Sequence, residues 1–111
     1  MIEINVEIVE LVSIATLAGE IDAISAAMVQ DKVLPLSAPS CKIILDMTNV
    51  AYMSSAGLRM LLSIYRNISS NKGQVILVGL SDELKDTMSM TGFLAYFTVQ
   101  DTLDAGIQAF S

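Results

Sequence analysis

Two adjacent hydroxyl side chains, Ser54 and Ser55, stand directly before the hydrophobic run AGLRMLL. A serine in this position accepts a hydrogen bond from an amide of the first helical turn, which contributes about 1 kcal/mol. The same helix N-terminus presents free amides and the positive end of the helix dipole, which accommodate a phosphate. Phosphorylation would add roughly −1.5 to −2 charges at one point. The pattern therefore permits two interpretations, a helix cap or a modification site.

Three further residues bear on that choice. Arg59 lies in the first turn, where the dipole disfavours a cation, yet within reach of a phosphate on Ser55; simple solvent exposure is the alternative. Met60 and Ile64 flank the apolar stripe of the helix. If they are open, they form an apolar docking surface beside a modifiable serine; otherwise neighbouring elements cover them.

The sequence offers few of the residue types and motifs that support catalysis. The chain has no histidine, which removes the usual general base for a serine or cysteine nucleophile and the commonest metal ligand. Neither of the glycine-rich phosphate-binding signatures is present, and Asp46 has no identifiable partner for holding Mg²⁺. We therefore expect a protein that is not an enzyme, with no cofactor and no metal.

Composition sets the class of molecule. The 111 residues are 53% hydrophobic and 16% charged, which is typical of one folded domain, here residues 1–111. The formal net charge of −6 argues against direct nucleic-acid binding. Cys41 is the single cysteine, and neither a secretory signal nor an apolar run long enough to cross a bilayer is present. The expected location is the cytoplasm, without membrane insertion.

Periodicity predicts the element order β-β-α-β-α-β-α-β-α, and hence an α/β domain with a mixed sheet and about four helices. The first two strands are expected to be antiparallel because their connection is short, and the later ones to be joined by right-handed crossovers. The predicted strands cover residues 2–8, 11–19, 42–47, 74–80 and 96–99.

The predicted helices follow these strands. The first is capped by Asp22, carries Ile24, Ala27 and Met28 at helical spacing, and is broken at Pro35. The second is capped by Ser55 or Ser54, the third by Ser81, and the last starts at Asp101 or Thr102. Their expected inward residues are Leu58, Leu61, Leu62, Tyr65 and Ile68, then Leu84 and Met88, then Leu103, Ile107 and Phe110.

The segment LDMTNVAYMSSAGLRMLL, from Leu45 to Leu62, resembles the signature of STAS domains of the bacterial anti-sigma factor antagonist family. LAGEIDA, VILVGLSDELKDTMSMTGF and VQDTLDAGI resemble further segments of that family, so the resemblance covers essentially the whole chain. It implies a STAS fold and a regulatory function.

The resemblance also implies residue roles. Family members are typically phosphorylated on a serine of this turn by an anti-sigma factor that is a serine kinase, and a PP2C-type phosphatase reverses the change. Aligning Gly57 with the family's glycine makes Ser55 the phosphoacceptor, with Ser54, which replaces an aspartate, as competing candidate. The expected partner-binding residues are Asp22, Ser54, Ser55, Ala56, Gly57, Arg59, Met60 and Ile64.

The leading hypothesis is thus a phosphorylation-controlled antagonist, a monomer or weak dimer, that binds an anti-sigma factor kinase and thereby releases a sigma factor. Two alternatives stay open. One is a STAS regulatory or scaffold subunit of another signalling or transport complex, and the other is a small-ligand or nucleotide sensor.

Overall fold

The computed structural model of the protein describes residues 2–110. Its strands are β1 (Glu3–Val9), β2 (Val12–Ile21), β3 (Lys42–Met53), β4 (Gln74–Val78) and β5 (Thr98–Gln100). Its helices are α1 (Ala23–Val33), α2 (Ser55–Ser70), α3 (Asp82–Met90) and α4 (Leu103–Gln108), and two short 3-10 turns cover Leu34–Leu36 and Phe93–Tyr96. The predicted order of elements is confirmed.

One mixed sheet runs in the order β1-β2-β3-β4-β5. β1 and β2 are antiparallel, and each later neighbour pair is parallel. A two-residue turn joins β1 to β2, with Glu10 at φ 50° and Leu11 at φ 69°. Positive φ at both turn residues is typical of a type I′ hairpin, whose twist matches that of the strands it joins.

Helices cover the two faces of the sheet unequally. Residues of α1, α2 and α3 pack with Ile43, Leu45 and Leu77 in the larger core. Strand alternation sends Ile44 and Ile76 to the other face, where residues of α4 cover them. Among residues 2–110, the second core is covered by the six-residue α4 and the residues next to it, so most of the apolar burial lies on the first face.

Two predicted faces differ from the structure. Ile24, Ala27 and Met28 point outward from α1, whose buried residues are Ser25, Ala26, Val29 and Val33. Helical spacing identifies a stripe of residues but not which side of the helix faces the sheet. On β1, Ile8 is 69% exposed rather than buried, because α1 packs over β2 and not over the outer half of β1.

β3 extends well past the predicted 42–47 segment. Its second half stays paired with β2, where Ala18 lies opposite Asn49 and Glu20 opposite Tyr52, across two register irregularities. Thr48 and Asn49 interrupt the apolar pattern, so periodicity ended the predicted strand before the buried Val50 and Met53. β5 begins at Thr98 because Tyr96 belongs to the preceding 3-10 turn. Within residues 2–110, none of the helices is long and apolar enough to cross a membrane.

Candidate functional site

The serine turn connects the end of β3 to the start of α2. Ser54, not Ser55, is the N-cap: its Oγ accepts a hydrogen bond from the Gly57 N–H at 3.4 Å. The Ser54 N–H donates to the Ile21 carbonyl at 2.8 Å, which ties the turn to the end of β2. The Ser54 carbonyl accepts from the Leu58 N–H at 3.1 Å, so all three polar groups of Ser54 hold the turn.

Ser55 occupies the first position of α2 and is exposed, whereas Ser54 is half-buried. The first N–H groups of a helix have no intrahelical carbonyl to bind. Ser54 Oγ serves the Gly57 N–H, so the N–H groups of Ser55 and Ala56 remain directed out of the helix end. The Ser55 hydroxyl thus lies next to amide donors at the positive end of the α2 dipole.

Gly57 allows α2 to pack closely against the sheet. A Cβ atom at this position would lie 2.3 Å from Met53 Cγ and 2.9 Å from Ile21 Cγ2, closer than atoms can approach. The glycine is buried and makes its contribution through packing. It therefore sets the position of the serine turn relative to the ends of β2 and β3.

Arg59 is exposed on α2, four residues after Ser55. Side chains four apart on a helix lie next to one another, so Arg59 is placed one turn below the Ser55 hydroxyl. The salt bridge found within the described residues joins Lys85 to Asp101 and does not involve Arg59. The Arg59 guanidinium is therefore available to a new anion.

The prediction that Met60 and Ile64 are exposed for contact with a partner is wrong. Met60 is 3% exposed and Ile64 is fully buried, because both pack in the larger core with residues of α1 and of the sheet. Gly57 is also buried, so it shapes the turn rather than touching a partner through a side chain. Of the predicted set, Asp22, Ser55 and Arg59 are exposed, and Ser54 and Ala56 are half-buried.

A shallow groove of about 340 Å³ between α1 and α2 replaces the surface expected from Met60 and Ile64. Its rim carries Ala23 and Ala27 on α1 and Ala56 and Arg59 on α2, with Met60 at its base. Small side chains keep the two helices close, and Gln30 Nε2 donates to Ser63 Oγ at 3.1 Å across the groove. Sequence periodicity did not identify Ala23 and placed Ala27 on the inner face of α1, because alanine fits either face of a helix.

Asp22 belongs to a capping box at the start of α1. Its Oδ1 accepts hydrogen bonds from the Ser25 N–H at 2.9 Å, the Ile24 N–H at 3.0 Å and the Ser25 hydroxyl at 3.0 Å. The Asp22 N–H donates in return to Ser25 Oγ at 2.8 Å. The bonds from Ser25, and then that from Ile24, hold the pKa of Asp22 below its ordinary value. Its carboxylate is thus charged and fixed beside the serine turn.

Asp46 lies within β3 and does not reach the turn. Its Oδ1 accepts from the Thr48 hydroxyl at 2.7 Å and the Thr48 N–H at 3.1 Å. This contact sits at the register irregularity where Asp46 pairs with Thr16 and Asn49 with Ala18. Asp46 therefore stabilises the strand bulge. Among residues 2–110, no group of three or more His, Cys, Asp or Glu side chains converges as a metal site would require.

The chain is similar in sequence to proteins named as anti-sigma factor antagonists. BtrV of Bordetella bronchiseptica is 30% identical over 69 residues, which make up 62% of this chain and 60% of that protein. The chain thus spans less than two thirds of that relative. The anti-sigma-B factor antagonist of Bacillus subtilis is 27% identical over 92 residues, covering 83% of this chain and 84% of that protein. These relatives have the names of regulators, not of enzymes.

Solved structures agree on the fold. An anti-sigma factor antagonist from Mycobacterium paratuberculosis superimposes with a TM-score of 0.87 at 25% identity, over 98% of this chain and 93% of that one. SpoIIAA of Bacillus, in its phosphorylated form, gives a TM-score of 0.75 at 18% identity, over 98% and 100% of the two chains. The latter likeness supports the fold alone.

The family assignment rests on most of the chain. The family model described as the STAS domain matches residues 3–106, which include all five strands and the serine turn. The mixed sheet with α1, α2 and α3 on one face is shared with the anti-sigma factor antagonist structures. The chain belongs to the STAS domain family.

Proposed function

We propose that the protein is an anti-sigma factor antagonist whose binding to an anti-sigma factor is switched off by phosphorylation of Ser55. The observation that carries the proposal is the division between the two serines: Ser54 Oγ caps α2, while the Ser55 hydroxyl is exposed. Relatives named as anti-sigma factor antagonists support this direction.

The fixed turn favours recognition by a kinase active site. The Ser54 N–H bond to the Ile21 carbonyl and the close packing of Gly57 hold the backbone on both sides of Ser55. A substrate serine held in one conformation costs less entropy to bind than one in a mobile loop. Ser54 is a poor acceptor by comparison, because reaching a kinase would break the α2 cap.

A phosphate on Ser55 would change the surface electrostatically. It would add roughly −1.5 to −2 charges beside the carboxylate of Asp22, in a chain whose net charge is already −6. The free N–H groups of α2 and the Arg59 guanidinium would bind the phosphate within the protein. Arg59 is then withdrawn from any partner, and an acidic or apolar partner surface would have to desolvate the phosphate.

The partner surface we assign consists of Asp22, Ser55, Ala56, Arg59 and the groove beside Ala23 and Ala27. The proposed partners are an anti-sigma factor with serine kinase activity and a PP2C-type phosphatase that restores the binding form. Both act in the cytoplasm in this scheme. The proposed outcome of binding is release of the sigma factor.

Phosphorylation is tested by intact-mass analysis. The wild type, Ser54→Ala and Ser55→Ala are incubated with ATP and the serine-kinase anti-sigma factors of the same genome. We expect one phosphate on the wild type and on Ser54→Ala, and none on Ser55→Ala. Absence of phosphate with every kinase would reject the switch and favour a scaffold function for the domain.

Partner control is tested separately by calorimetric binding to the anti-sigma factor. Ser55→Glu should weaken binding by tenfold or more, about 1.4 kcal/mol, whereas Ser55→Ala should bind as the wild type does. Ser69→Glu is the matched control, because it adds the same charge to an exposed serine in the last turns of the same helix. Equal loss in Ser55→Glu and Ser69→Glu would indicate a general charge effect and contradict the proposed surface.

A further inference from the structure

The outer edge of β1 is open. β1 ends the strand order of the sheet, and its seven residues include no proline, lysine or arginine of the kind that usually protects an edge strand. Its apolar side chains are only partly covered: Val6 is 41% exposed and Ile8 69%. An edge with these properties is suited to pairing with another strand.

The turn after β1 determines which backbone groups face outward. A type I′ turn closes with a hydrogen bond between the residues that flank it, here Val9 and Val12. Bonded and non-bonded pairs then alternate along the hairpin, so Val9, Glu7 and Asn5 direct their N–H and C=O groups to β2. The N–H and C=O groups of Ile4, Val6 and Ile8 therefore point away from the sheet.

The geometry points to a second copy of this chain as the occupant of this edge, and we propose that the two β1 strands pair antiparallel about a two-fold axis at Val6. Val6 is the centre of Glu3–Val9, so this register pairs the strand along its whole length. In this register the outward-pointing backbone groups of Ile4 pair with those of Ile8 in the second copy, and those of Val6 pair with Val6 of the second copy. The two sheets would then form one continuous sheet.

Charge selects this register over its neighbours. Shifting the two-fold axis to Asn5 would set Glu3 opposite Glu7 of the other copy, and shifting it to Glu7 would set two copies of Glu7 opposite each other. Like charges directly opposed across a strand pair are destabilising. With the axis at Val6, Glu7 faces Asn5 and Glu3 faces Val9, so no carboxylate is opposed by another.

A pocket of about 550 Å³ receives the other end of the hairpin. It lies between the start of β1 and the start of α1, and Ile2, Ile24 and Met28 form its apolar wall. In the proposed register Glu10 of the second copy lies opposite Ile2, so the turn that bears Leu11 comes to this pocket. Leu11 is 86% exposed and Ile24 is 76% exposed, and the pairing brings these apolar groups together.

The association is tested by sedimentation equilibrium at concentrations up to about 1 mM, the range of weak binding. We expect a reversible dimer for the wild type and at least a tenfold weaker one for Val6→Lys, which places two cations opposite each other at the axis. Thr98→Lys is the matched control, because it adds lysine to the opposite edge strand, at an exposed residue. A monomeric wild type, or an equal effect of both variants, would overturn the proposal.

The register is tested by disulfide trapping in a Cys41→Ser background. In Val6→Cys the two Cα atoms would lie about 5.5 Å apart, within disulfide range, so oxidation should give a covalent dimer. In Ile8→Cys the two sulfur-bearing residues are offset by four positions, about 13 Å along the strand. Ile8 is the more exposed residue, so cross-linking of Ile8→Cys as fast as Val6→Cys would overturn the register.

These results are independent of phosphorylation. The pairing uses β1 and the pocket beside Ile2, whereas the proposed switch uses Ser55 and the groove between α1 and α2; Asp22 borders both surfaces but is altered in none of these variants. A protein that is phosphorylated but monomeric would reject the pairing and leave the switch standing. A protein that dimerises but is not phosphorylated would reject the switch and leave the pairing standing.

Discussion

At the residue scale, two neighbouring serines perform different tasks. Ser54 is bound on both sides, through its N–H to Ile21 and through its Oγ to Gly57, and is half-buried. Ser55, one residue later, is exposed and makes no contribution to the cap. The division lets a kinase modify one hydroxyl while the other keeps α2 in place.

Substituting the cap should cost stability without removing the acceptor. Ser54→Ala should lower the free energy of unfolding by about 0.5–1 kcal/mol, because the bond it removes is long at 3.4 Å. Ser55→Ala should stay within about 0.5 kcal/mol of the wild type. Urea denaturation followed by circular dichroism measures both. A larger loss of unfolding free energy in Ser55→Ala than in Ser54→Ala would mean that Ser55, and not Ser54, caps α2.

Gly57→Ala should destabilise the protein by about 1–3 kcal/mol, because α2 must move away from Met53 and Ile21 to admit a methyl group. Gly92→Ala is the contrasting variant: no heavy atom lies within 4 Å of its added methyl, and only the positive φ of 80° opposes it. It should cost about 1 kcal/mol.

The cause is isolated by a double-mutant cycle. Shortening Met53 to alanine removes the atom closest to the new methyl, so Gly57→Ala should cost less in the Met53→Ala background, with a coupling of about 0.5–3 kcal/mol. Strictly additive losses would mean that the methyl clashes elsewhere.

At the element scale, periodicity and capping residues predicted the order of strands and helices and the start of α1, α3 and α4. Asp22 and Ser81 are the N-caps, as expected from their residue types, and Thr102 is the N-cap of α4 where the sequence had left Asp101 and Thr102 as alternatives. Local pattern could not tell which stripe of α1 faces the sheet. The long β3 was also missed, since the polar pair Thr48 and Asn49 interrupts its apolar run before Val50 and Met53 return to the core, and its ladder partners in β2 are distant in sequence.

The site was predictable in part. The positions of Ser55 and Arg59 on the surface follow from the capping pattern, but the burial of Met60 and Ile64 depends on how α1 crosses α2. Four alanines line the groove where the two helices meet, and Ala26 is the buried one. Alanine carries little orientational information in a sequence.

The cap of α1 should make stability depend on pH. Hydrogen bonds lower the pKa of Asp22 in the folded protein, so the cap contributes fully above the ordinary pKa of 3.8 and is lost as the pH falls through the lower folded value. Asp22→Asn keeps a capping side chain that does not titrate in this range. Melting temperatures should thus favour the wild type at neutral pH, with the advantage disappearing below pH 3.8. A constant difference across this range would contradict the assigned role.

At the scale of the whole molecule, unbalanced negative charge is the dominant feature. The net charge is −6, the Cα extents are 30 × 24 × 23 Å, and Lys85 with Asp101 forms an exposed ion pair in the described region. The screening length is about 30 Å at 10 mM salt and about 8 Å at 0.15 M. At low salt each carboxylate therefore repels others across the entire domain.

Reversing one of these charges should stabilise the protein at low salt only. Glu7→Lys at an exposed site of β1 should raise the melting temperature relative to the wild type in 10 mM buffer, and the gain should shrink in about 0.15 M salt. Glu7→Gln should give an intermediate gain. A gain independent of salt would point to strand propensity instead of charge. Dilute protein is used so that association does not contribute.

The type I′ turn at Glu10 and Leu11 has a consequence for amide hydrogen exchange along β1. The N–H groups of Asn5, Glu7 and Val9 are bonded to β2, so they should exchange slowly with deuterium. Those of Ile4, Val6 and Ile8 face solvent in a single molecule and should exchange quickly. The exchange rate should thus alternate residue by residue in dilute protein, and the alternation should fade as the second strand of a dimer protects the fast set.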